Sequence, residues 1–264
     1  MSSLLCALLA AAAPIYQMPK ADVDTFLSGM NAGGKPYGER VWLVANQYLG
    51  APYVNGPLGE GPDGTHDKDP LMDLEHVDCV TFVEQTLALA ASKSHDETFD
   101  LLQRIRYKDG HIAFESRNHF MIADWVANNT FCKDVSKDLG VPTQSLTRTI
   151  SRKDFFAKRV NAPELGQDIP DQPMTIAYVP VGQAAEATKK LPSPCLICFI
   201  GKIDWLFTLH CGLYIRDEKG AGAFYQASSG KGVMKVVKSD LAESIGGSER
   251  YLGFTAYEIS NPRK

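Results

Sequence analysis

The sequence predicts an α+β fold in which helices come first and the strands of an antiparallel sheet follow. Apolar residues recur at helical spacing in the first third of the chain, whereas the last third contains short runs rich in β-branched and aromatic residues. A parallel sheet would require strands and helices to alternate along the chain, and they do not. The 264 residues are 44% hydrophobic, which is enough for a substantial buried core.

The helices are predicted from apolar periodicity. The pattern extends over residues 21–49 with a break at Gly33 and Gly34, and a loop rich in Gly and Pro follows over residues 50–64. Helical spacing resumes over residues 80–90. Residues 99–132 alternate less clearly, and their apolar positions fit either a helix or a strand.

Five short β-rich runs are predicted in the last third of the chain, separated by Gly, Lys, Asp and Glu. A polar, Pro-containing stretch before them, residues 161–173, is predicted to be a surface connection or an inserted loop. Because no linker separates the helical part from the strand part, residues 21–264 are predicted to form a single domain. The five runs cover residues 196–203, 206–216, 222–228, 233–237 and 251–259.

The chain begins with an apolar run over residues 4–13 that ends in small residues before Pro14. This pattern is typical of a secretory signal, so residues 1–20 are predicted to be a signal segment and the protein to be exported to the periplasm or cell envelope. The alternative is a buried N-terminal helix, because the first basic residue, Lys20, follows the run instead of preceding it. The run is too short to span a membrane, which needs about 20 residues.

Charge and cysteine content exclude other classes of protein. The net charge is −4 and no block of Lys and Arg occurs, so nucleic acid is not a predicted partner. The six cysteines are scattered, unlike the dense framework of a small disulfide-stabilised domain. Cys195 and Cys198, with His210 and Cys211, have suitable ligand types for zinc, but a strand offset of three points the first two to opposite faces. No metal or other cofactor is therefore predicted.

Cys79 is the candidate nucleophile. Asp78 is a favourable N-cap and the helical period begins directly after it, so the thiol lies in the first turn of a helix. Free backbone N–H groups and the positive end of the helix dipole favour a thiolate there, and such a thiol can have a pKa of about 3.5–7.5. The same N–H groups can hold the oxyanion of a tetrahedral intermediate. The alternative is that Cys79 is a small buried apolar residue, as most cysteines are.

His210 is the candidate base. A catalytic cysteine and its histidine are commonly distant in sequence and adjacent in the fold. Strand alternation over residues 208–215 places Leu209 and Cys211 on the core face, and His210 beside Gly212 on the other. The alternative is a structural histidine with satisfied hydrogen bonds.

Gln226 is the candidate group that orients His210. The short connection over residues 217–222 predicts a hairpin, and folding it about residue 218 pairs His210 with Gln226. A register shift of two keeps both side chains on one face, where the amide oxygen can accept a hydrogen bond and fix the tautomer. The alternative is an exposed polar strand residue.

Taken in order, these motifs resemble the NlpC/P60 cysteine hydrolases. In detail they resemble the branch DUF1460, described as N-acetylmuramoyl-L-alanine amidase-like, and the resemblance covers nearly everything from about residue 40 to residue 259. The residues that carry it are Gly50-Ala51-Pro52-Tyr53, Asp78-Cys79-Val80-Thr81-Phe82-Val83-Glu84, Arg117-Asn118-His119-Phe120 with Asp124-Trp125, His210-Cys211-Gly212-Leu213-Tyr214 and Gln226-Ala227-Ser228-Ser229.

The resemblance implies a papain-like catalytic domain over residues 21–264, in which the nucleophile helix packs on an antiparallel sheet, with extra N-terminal helices and inserted loops. It implies that Cys79, His210 and Gln226 are catalytic. It further implies that Tyr53, Asp78 and Ser228 bind substrate, although Tyr53 has the alternative of a packed loop aromatic.

The same resemblance implies that the substrates are peptidoglycan fragments (muropeptides). The bond cut would be the one between the lactyl group of N-acetylmuramic acid and L-Ala, through a thiol acyl-enzyme. Two alternatives stay open: an endopeptidase that cuts within the stem peptide, and a muropeptide-binding module without turnover.

The sequence departs from the family pattern at two places. Family members usually have His where this chain has Gln226, so the third catalytic group is altered. Many also have a Gly-Asp pair before the strand of the catalytic His, where this chain has Ser193-Pro194-Cys195. The first departure bears on the rate of the reaction and not on its chemistry, because it alters only the group that orients His210.

Overall fold

The computed structural model describes residues 13–263. Residues 4–12 of the apolar run, and with them Cys6, lie outside the described residues. The helices are α1 (Lys20–Ala32), α2 (Tyr37–Gln47), α3 (Cys79–Ala91), α4 (His95–Arg106), α5 (Arg152–Arg159), α6 (Ala184–Thr188) and α7 (Leu241–Gly246). The strands are β1 (Cys132–Asp134), β2 (Gln144–Ile150), β3 (Gln172–Pro180), β4 (Cys195–Gly201), β5 (Thr208–Arg216), β6 (Gly222–Ser228), β7 (Lys235–Ser239) and β8 (Tyr251–Ile259).

The helices predicted from periodicity are confirmed. The break at Gly33 and Gly34 separates α1 from α2, and each of these helices begins directly after a proline, Pro19 or Pro36. In the ambiguous region 99–132, α4 ends at Arg106 and a single π-helical turn, Met121–Val126, follows. Among the described residues, no helix is both long enough and apolar enough to cross a membrane.

The described strands form one sheet in the order β2-β3-β8-β4-β5-β6-β7, with β1 paired to β8, and every pairing is antiparallel. The predicted α+β class with an antiparallel sheet is therefore confirmed. The five predicted runs correspond to β4–β8, and β6 and β8 have the predicted bounds.

Strands β1, β2 and β3 were not predicted. The stretch 161–173 is a loop only up to residue 171, because β3 begins at Gln172 and includes the last two residues of the stretch. Strand β2 is at the edge of the sheet, β3 pairs with β8 only at Val179 and Pro180, and the exposed positions of both strands carry mostly polar residues. The sequence signal of such strands is weak because few of their side chains enter the core.

Both faces of the central strands are covered, which is why β4 is one continuous apolar run. On one face lie α1 to α4, packed against side chains that include Cys198, Cys211 and Leu213. On the other face lie α6 and α7, packed against side chains that include Cys195 and Phe224. Helix α3, which carries the candidate nucleophile, packs directly on β5 and β6. The opposite orientation of Cys195 and Cys198 agrees with the argument made against a zinc site.

Candidate active site

Asp78 determines where helix α3 begins. Its Oδ1 atom accepts hydrogen bonds from the backbone N–H groups of Val80 (3.0 Å) and Thr81 (2.8 Å), and its own N–H donates to the Thr81 hydroxyl (2.8 Å). This reciprocal capping box places Cys79 at the first helical position. The Oδ2 atom accepts from the N–H of Gly56 (3.1 Å), so the same carboxylate anchors the loop over residues 50–64.

The half-buried Cys79 thiol lies between two hydrogen-bonding partners. The thiol of Cys211 is within hydrogen-bonding reach of the Cys79 sulfur and also approaches the Cys79 carbonyl oxygen at 3.3 Å. The contact with Cys211 lowers the pKa of Cys79, whereas burial raises it. The hydrogen bond and the positive charge of His210 lower this pKa further. The net pKa is well below that of an ordinary thiol, so the arrangement favours a thiolate–imidazolium pair.

His210 stands at a β-bulge. Phe199 pairs with His210 and Ile200 pairs with Thr208, so Leu209 is an extra residue in β5. The predicted alternation is therefore wrong at Leu209, which lines the same cavity as His210 instead of joining the core beneath α3. The bulge breaks the strict two-residue period immediately before the candidate base, and bulges are common next to active sites.

The surroundings of His210 favour its charged form. Burial lowers the pKa of His210, but the hydrogen bond and the charge of the Cys79 sulfur outweigh burial and the pKa is raised. Gln226 raises it further, while the positive charge of Arg250 opposes the rise. Since the Nε2 atom bonds to Gln226, Nδ1 is the nitrogen left to face Cys79.

The predicted hairpin between β5 and β6 is confirmed. Leu213 pairs with Tyr225, so the hairpin register is shifted by two residues from the one expected if the hairpin folded about residue 218. This shift keeps His210 and Gln226 on the same face, and their Nε2 and Oε1 atoms are 2.7 Å apart.

Two serines orient the Gln226 amide. Its Nε2 atom donates to the hydroxyls of Ser239 (3.0 Å) and Ser244 (3.3 Å), which leaves Oε1 to face His210. The Ser244 hydroxyl donates to the Asp240 carbonyl (2.7 Å) and lies 2.7 Å from the Ser239 oxygen. The serine oxygens are thereby presented as acceptors. Sequence reasoning missed both serines, since they belong to no motif and precede or follow the start of a short helix.

Tyr53 reaches the site because its segment runs beside the start of β7. Its backbone N–H donates to the carbonyl of Met234 (3.0 Å), and its hydroxyl lies beside Ser229. Burial raises the pKa of Tyr53, and the negative charges of Cys79 and Asp78 raise it further. The tyrosine therefore lies close to the thiol.

Ser228 lines a cavity of about 440 Å³ beside His210, and its hydroxyl accepts a hydrogen bond from the N–H of Gly230 (3.1 Å). Two basic residues that the sequence did not single out, Lys231 and Arg250, line the same cavity. The residues predicted for catalysis and substrate binding are thus brought together around one thiol and the adjacent cavity. Their roles in catalysis and binding stay predictions.

A buried polar cluster holds α3 in place. The Nη1 atom of Arg106 lies 2.6 Å from Glu84 Oε2, and Trp125 Nε1 donates to Glu84 Oε1 (3.0 Å). Arg106 also donates to the carbonyl of Leu58 (3.2 Å), which ties the loop over residues 50–64 to the same cluster. Burial raises the pKa of Glu84, although the adjacent Arg106 charge opposes this rise.

Arg117 has a similar structural role. Its guanidinium bonds to Glu60 (2.6 Å) and Asp67 (2.9 Å), which ties the loop over residues 50–64 to the segment that follows it. The contacts of Arg117 and Trp125 therefore stabilise the loop over residues 50–64 and helix α3, which carry residues of the site.

Comparison with known families identifies the chain. A family model named AmiA-like, described as N-acetylmuramoyl-L-alanine amidase-like, matches residues 43–249. The chain belongs to this family. The matched span of this AmiA-like protein contains all the predicted site residues, together with Ser239 and Ser244.

Solved structures share the fold. A DUF1460 protein from Legionella pneumophila str. Philadelphia 1 superposes with a TM-score of 0.80 at 20% identity, over 91% of this chain and 94% of that one. Two structures of an N-acetylmuramoyl-L-alanine amidase from Bacteroides uniformis ATCC 8492 each give a TM-score of 0.64, over 85% of this chain and 99% of theirs, at 23% and 25% identity. No curated protein matches the AmiA-like chain.

Proposed function

We propose that this AmiA-like protein is a cysteine amidase that hydrolyses the bond between N-acetylmuramic acid and L-Ala in muropeptides. One arrangement carries the proposal: a thiol at the start of α3 lies beside His210, whose Nε2 atom is 2.7 Å from Gln226 Oε1. A nucleophile bonded to a base, which is itself held by a third group, is the geometry of covalent catalysis. The family description supplies the substrate class.

In the proposed reaction the Cys79 thiolate attacks the lactyl carbonyl carbon and forms a tetrahedral intermediate. The Asp78 cap occupies the N–H groups of Val80 and Thr81, so we assign the oxyanion to the N–H of Cys79. The intermediate collapses by breaking the C–N bond, and the His210 imidazolium gives its proton to the departing L-Ala amine.

The second half of the reaction releases the acyl group. Neutral His210 removes a proton from water, which attacks the thioester carbonyl of the acyl-enzyme. Collapse of this second intermediate releases the carboxylic acid of the sugar and returns the Cys79 thiolate and the His210 imidazolium. Gln226 keeps its hydrogen bond to Nε2 throughout and thereby holds the ring in the orientation that both proton transfers require.

We also propose a papain-like relationship with the NlpC/P60 hydrolases. Its support is the placement of the thiol at the first turn of a helix that packs on the strand of the histidine. The third group lies on the next strand of the same antiparallel sheet.

The bonding of Asp78 favours the amidase over the stem-peptide endopeptidase. An endopeptidase of this kind needs a group that binds the free amine of L-Ala. The Asp78 carboxylate already accepts hydrogen bonds from the N–H groups of Gly56, Val80 and Thr81 and from the Thr81 hydroxyl. Oδ1 accepts three of these bonds and Oδ2 accepts one, so an amine could bind only at the remaining acceptor site of Oδ2, beside the Gly56 N–H.

Product identification by mass spectrometry tests the proposal. Incubation with defined muropeptides is expected to release free N-acetylmuramic acid, or its anhydro form, and an intact peptide that begins with L-Ala. Products in which the sugar still carries L-Ala-D-Glu would show an endopeptidase. The folded Cys79→Ser variant is the control and is expected to release nothing; near-normal turnover by it would end the cysteine mechanism.

We propose export for this protein on the basis of the apolar run that ends at Ala13. Ile15 is completely buried and packs beside α2, so a cut that preserves the core falls before this residue. N-terminal sequencing of protein isolated from the cell envelope tests this: a mature chain that begins at or before Ile15 is expected, and an intact first residue in protein found inside the cell would contradict export.

A further inference from the structure

We propose that the cavity beside His210 binds a carboxylate of the leaving peptide through Lys231 and Arg250. The proposal rests on the amidase function above and specifies which part of the substrate this cavity receives.

The ionisable side chains that line the cavity are mainly basic. The cavity has a volume of about 440 Å³, and His210 and Gln226 line it together with Lys231, Arg250 and the hydroxyl groups of several serines. Among residues 13–263, no Asp or Glu side chain lines it. A cavity with cations, hydroxyl donors and no carboxylate suits an anionic ligand.

Lys231 and Arg250 differ from the arginines that stabilise the fold. Arg106, Arg117 and Arg152 each form an ion pair with a carboxylate. Within residues 13–263, no ion pair involves Lys231 or Arg250. Their charges are therefore available to a ligand.

Arg250 is held next to the candidate base. Its Nη2 atom donates to the Tyr251 hydroxyl (3.1 Å), and its guanidinium lies 5.4 Å from the centre of the Tyr251 ring. Its positive charge acts on His210 and opposes the rise in the pKa of that residue. The guanidinium shares the cavity with His210, so a ligand bound there by Arg250 would change the charge that acts on His210.

The chemistry decides which half of the substrate enters this cavity. The group that protonates the departing nitrogen must lie beside it, so the leaving peptide extends from the scissile bond on the side of His210. His210 lines the cavity and Cys79 does not. The leaving half of a muropeptide carries free carboxylates, whereas the acyl half is an uncharged sugar with its lactyl group. The cationic cavity therefore matches the leaving half.

A bound carboxylate would also assist the reaction. It would offset the Arg250 charge and so favour the imidazolium form of His210, which is the proton donor to the leaving amine. Substrates with a free peptide carboxylate are therefore expected to be cleaved better than the same substrates with amidated carboxyl groups.

Matched substrates and variants test the subsite. N-acetylmuramoyl-L-Ala-γ-D-Glu-L-Lys is supplied as the free acid and as the fully amidated form, to the wild type, Lys231→Gln and Arg250→Gln. The wild type is expected to prefer the acid, and each variant to raise KM for the acid about tenfold, equivalent to about 1.4 kcal/mol, with little effect on the amide. Lys137→Gln, which removes an exposed charge elsewhere, is the control and is expected to change neither.

A binding measurement separates failure of the subsite from failure of the amidase. Calorimetry with Cys79→Ala follows binding of the tripeptide L-Ala-γ-D-Glu-L-Lys, as acid and as amide, with and without Arg250→Gln. Cleavage of acid and amide at equal rates, unchanged in both variants, overturns the subsite while the amidase stands. Arg250-dependent binding of the acid without cleavage by the wild type would overturn the amidase and leave the subsite standing. Equal binding of acid and amide, insensitive to Arg250→Gln, overturns the subsite.

Discussion

The Nε2 atom of His210 lies 2.7 Å from the Oε1 atom of Gln226, so an uncharged amide holds the candidate base. The amide cannot reverse itself without losing its bonds to Ser239 and Ser244, because a reversed amide would point its NH₂ group at His210. The orientation of the imidazole therefore depends on a chain of neutral groups that runs from α7 to the thiol.

Iodoacetamide is expected to alkylate Cys79 faster than any other described cysteine, and to do so at pH values below the pKa of an ordinary thiol. Cys211 and His210 lower the pKa of Cys79. Burial raises the pKa of Cys132 and Cys198. Peptide mapping by mass spectrometry between pH 5 and 8 measures the order in which the cysteines are alkylated. Labelling of Cys132 before Cys79 would contradict the prediction.

Cys211→Ala is expected to slow the alkylation of Cys79 near pH 6 and to move its pH profile upward. The Cys211 thiol hydrogen bond lowers the pKa of Cys79, so its removal raises that pKa. Cys198→Ala is the matched control, because Cys198 pairs with Cys211 on the same face of the sheet. Identical profiles for both variants would show that Cys211 only packs.

Gln226→Ala is expected to lower kcat about 10–100-fold, as the loss of a group that orients a functional histidine commonly does. Gln226 raises the pKa of His210, so its loss moves the alkaline limb of the rate profile to lower pH. Gln226→His is expected to restore or improve activity, since His is what the resembled family places there. Unchanged kinetics in Gln226→Ala would make Gln226 a strand residue only.

Ser239→Ala and Ser244→Ala are expected to lower kcat about fivefold each, in line with about 1 kcal/mol for one hydrogen bond, and to leave KM unchanged. Their alkaline limbs should move in the same direction as that of Gln226→Ala, because a loosened amide supports His210 less well. Ser145→Ala, on an exposed position of β2, is the control. A loss of thermal stability without any change in the rate profile would contradict the orienting role.

Glu84→Ala is expected to lower the free energy of unfolding by about 3–5 kcal/mol, because it leaves the buried Arg106 charge without a partner. Glu186→Ala breaks the exposed pair with Lys189 and should cost at most about 1 kcal/mol. Urea unfolding followed by circular dichroism compares the two. Equal losses would mean that the Glu84 cluster does not hold α3.

Much of the fold follows from local patterns. The start of α3 could be predicted because the Asp78 cap and the apolar period after it lie within a few residues of each other. The hairpin that joins His210 to Gln226 could be predicted because its connection is short. Strands β2 and β3 were missed because both carry mostly polar residues on their exposed positions.

The sequence alone determined the class of the fold, the position of the thiol at a helix start and the face shared by His210 and Gln226, since each depends on residues close together in the chain. Only the tertiary structure decided that the Cys211 thiol lies beside Cys79, that Ser239 and Ser244 orient Gln226, and that Lys231 and Arg250 share a cavity with His210. These contacts join side chains from separate elements, and the apolar periodicity of each element does not reveal which polar side chains meet. Their positions follow from the packing of the sheet against its helices, which no local pattern encodes.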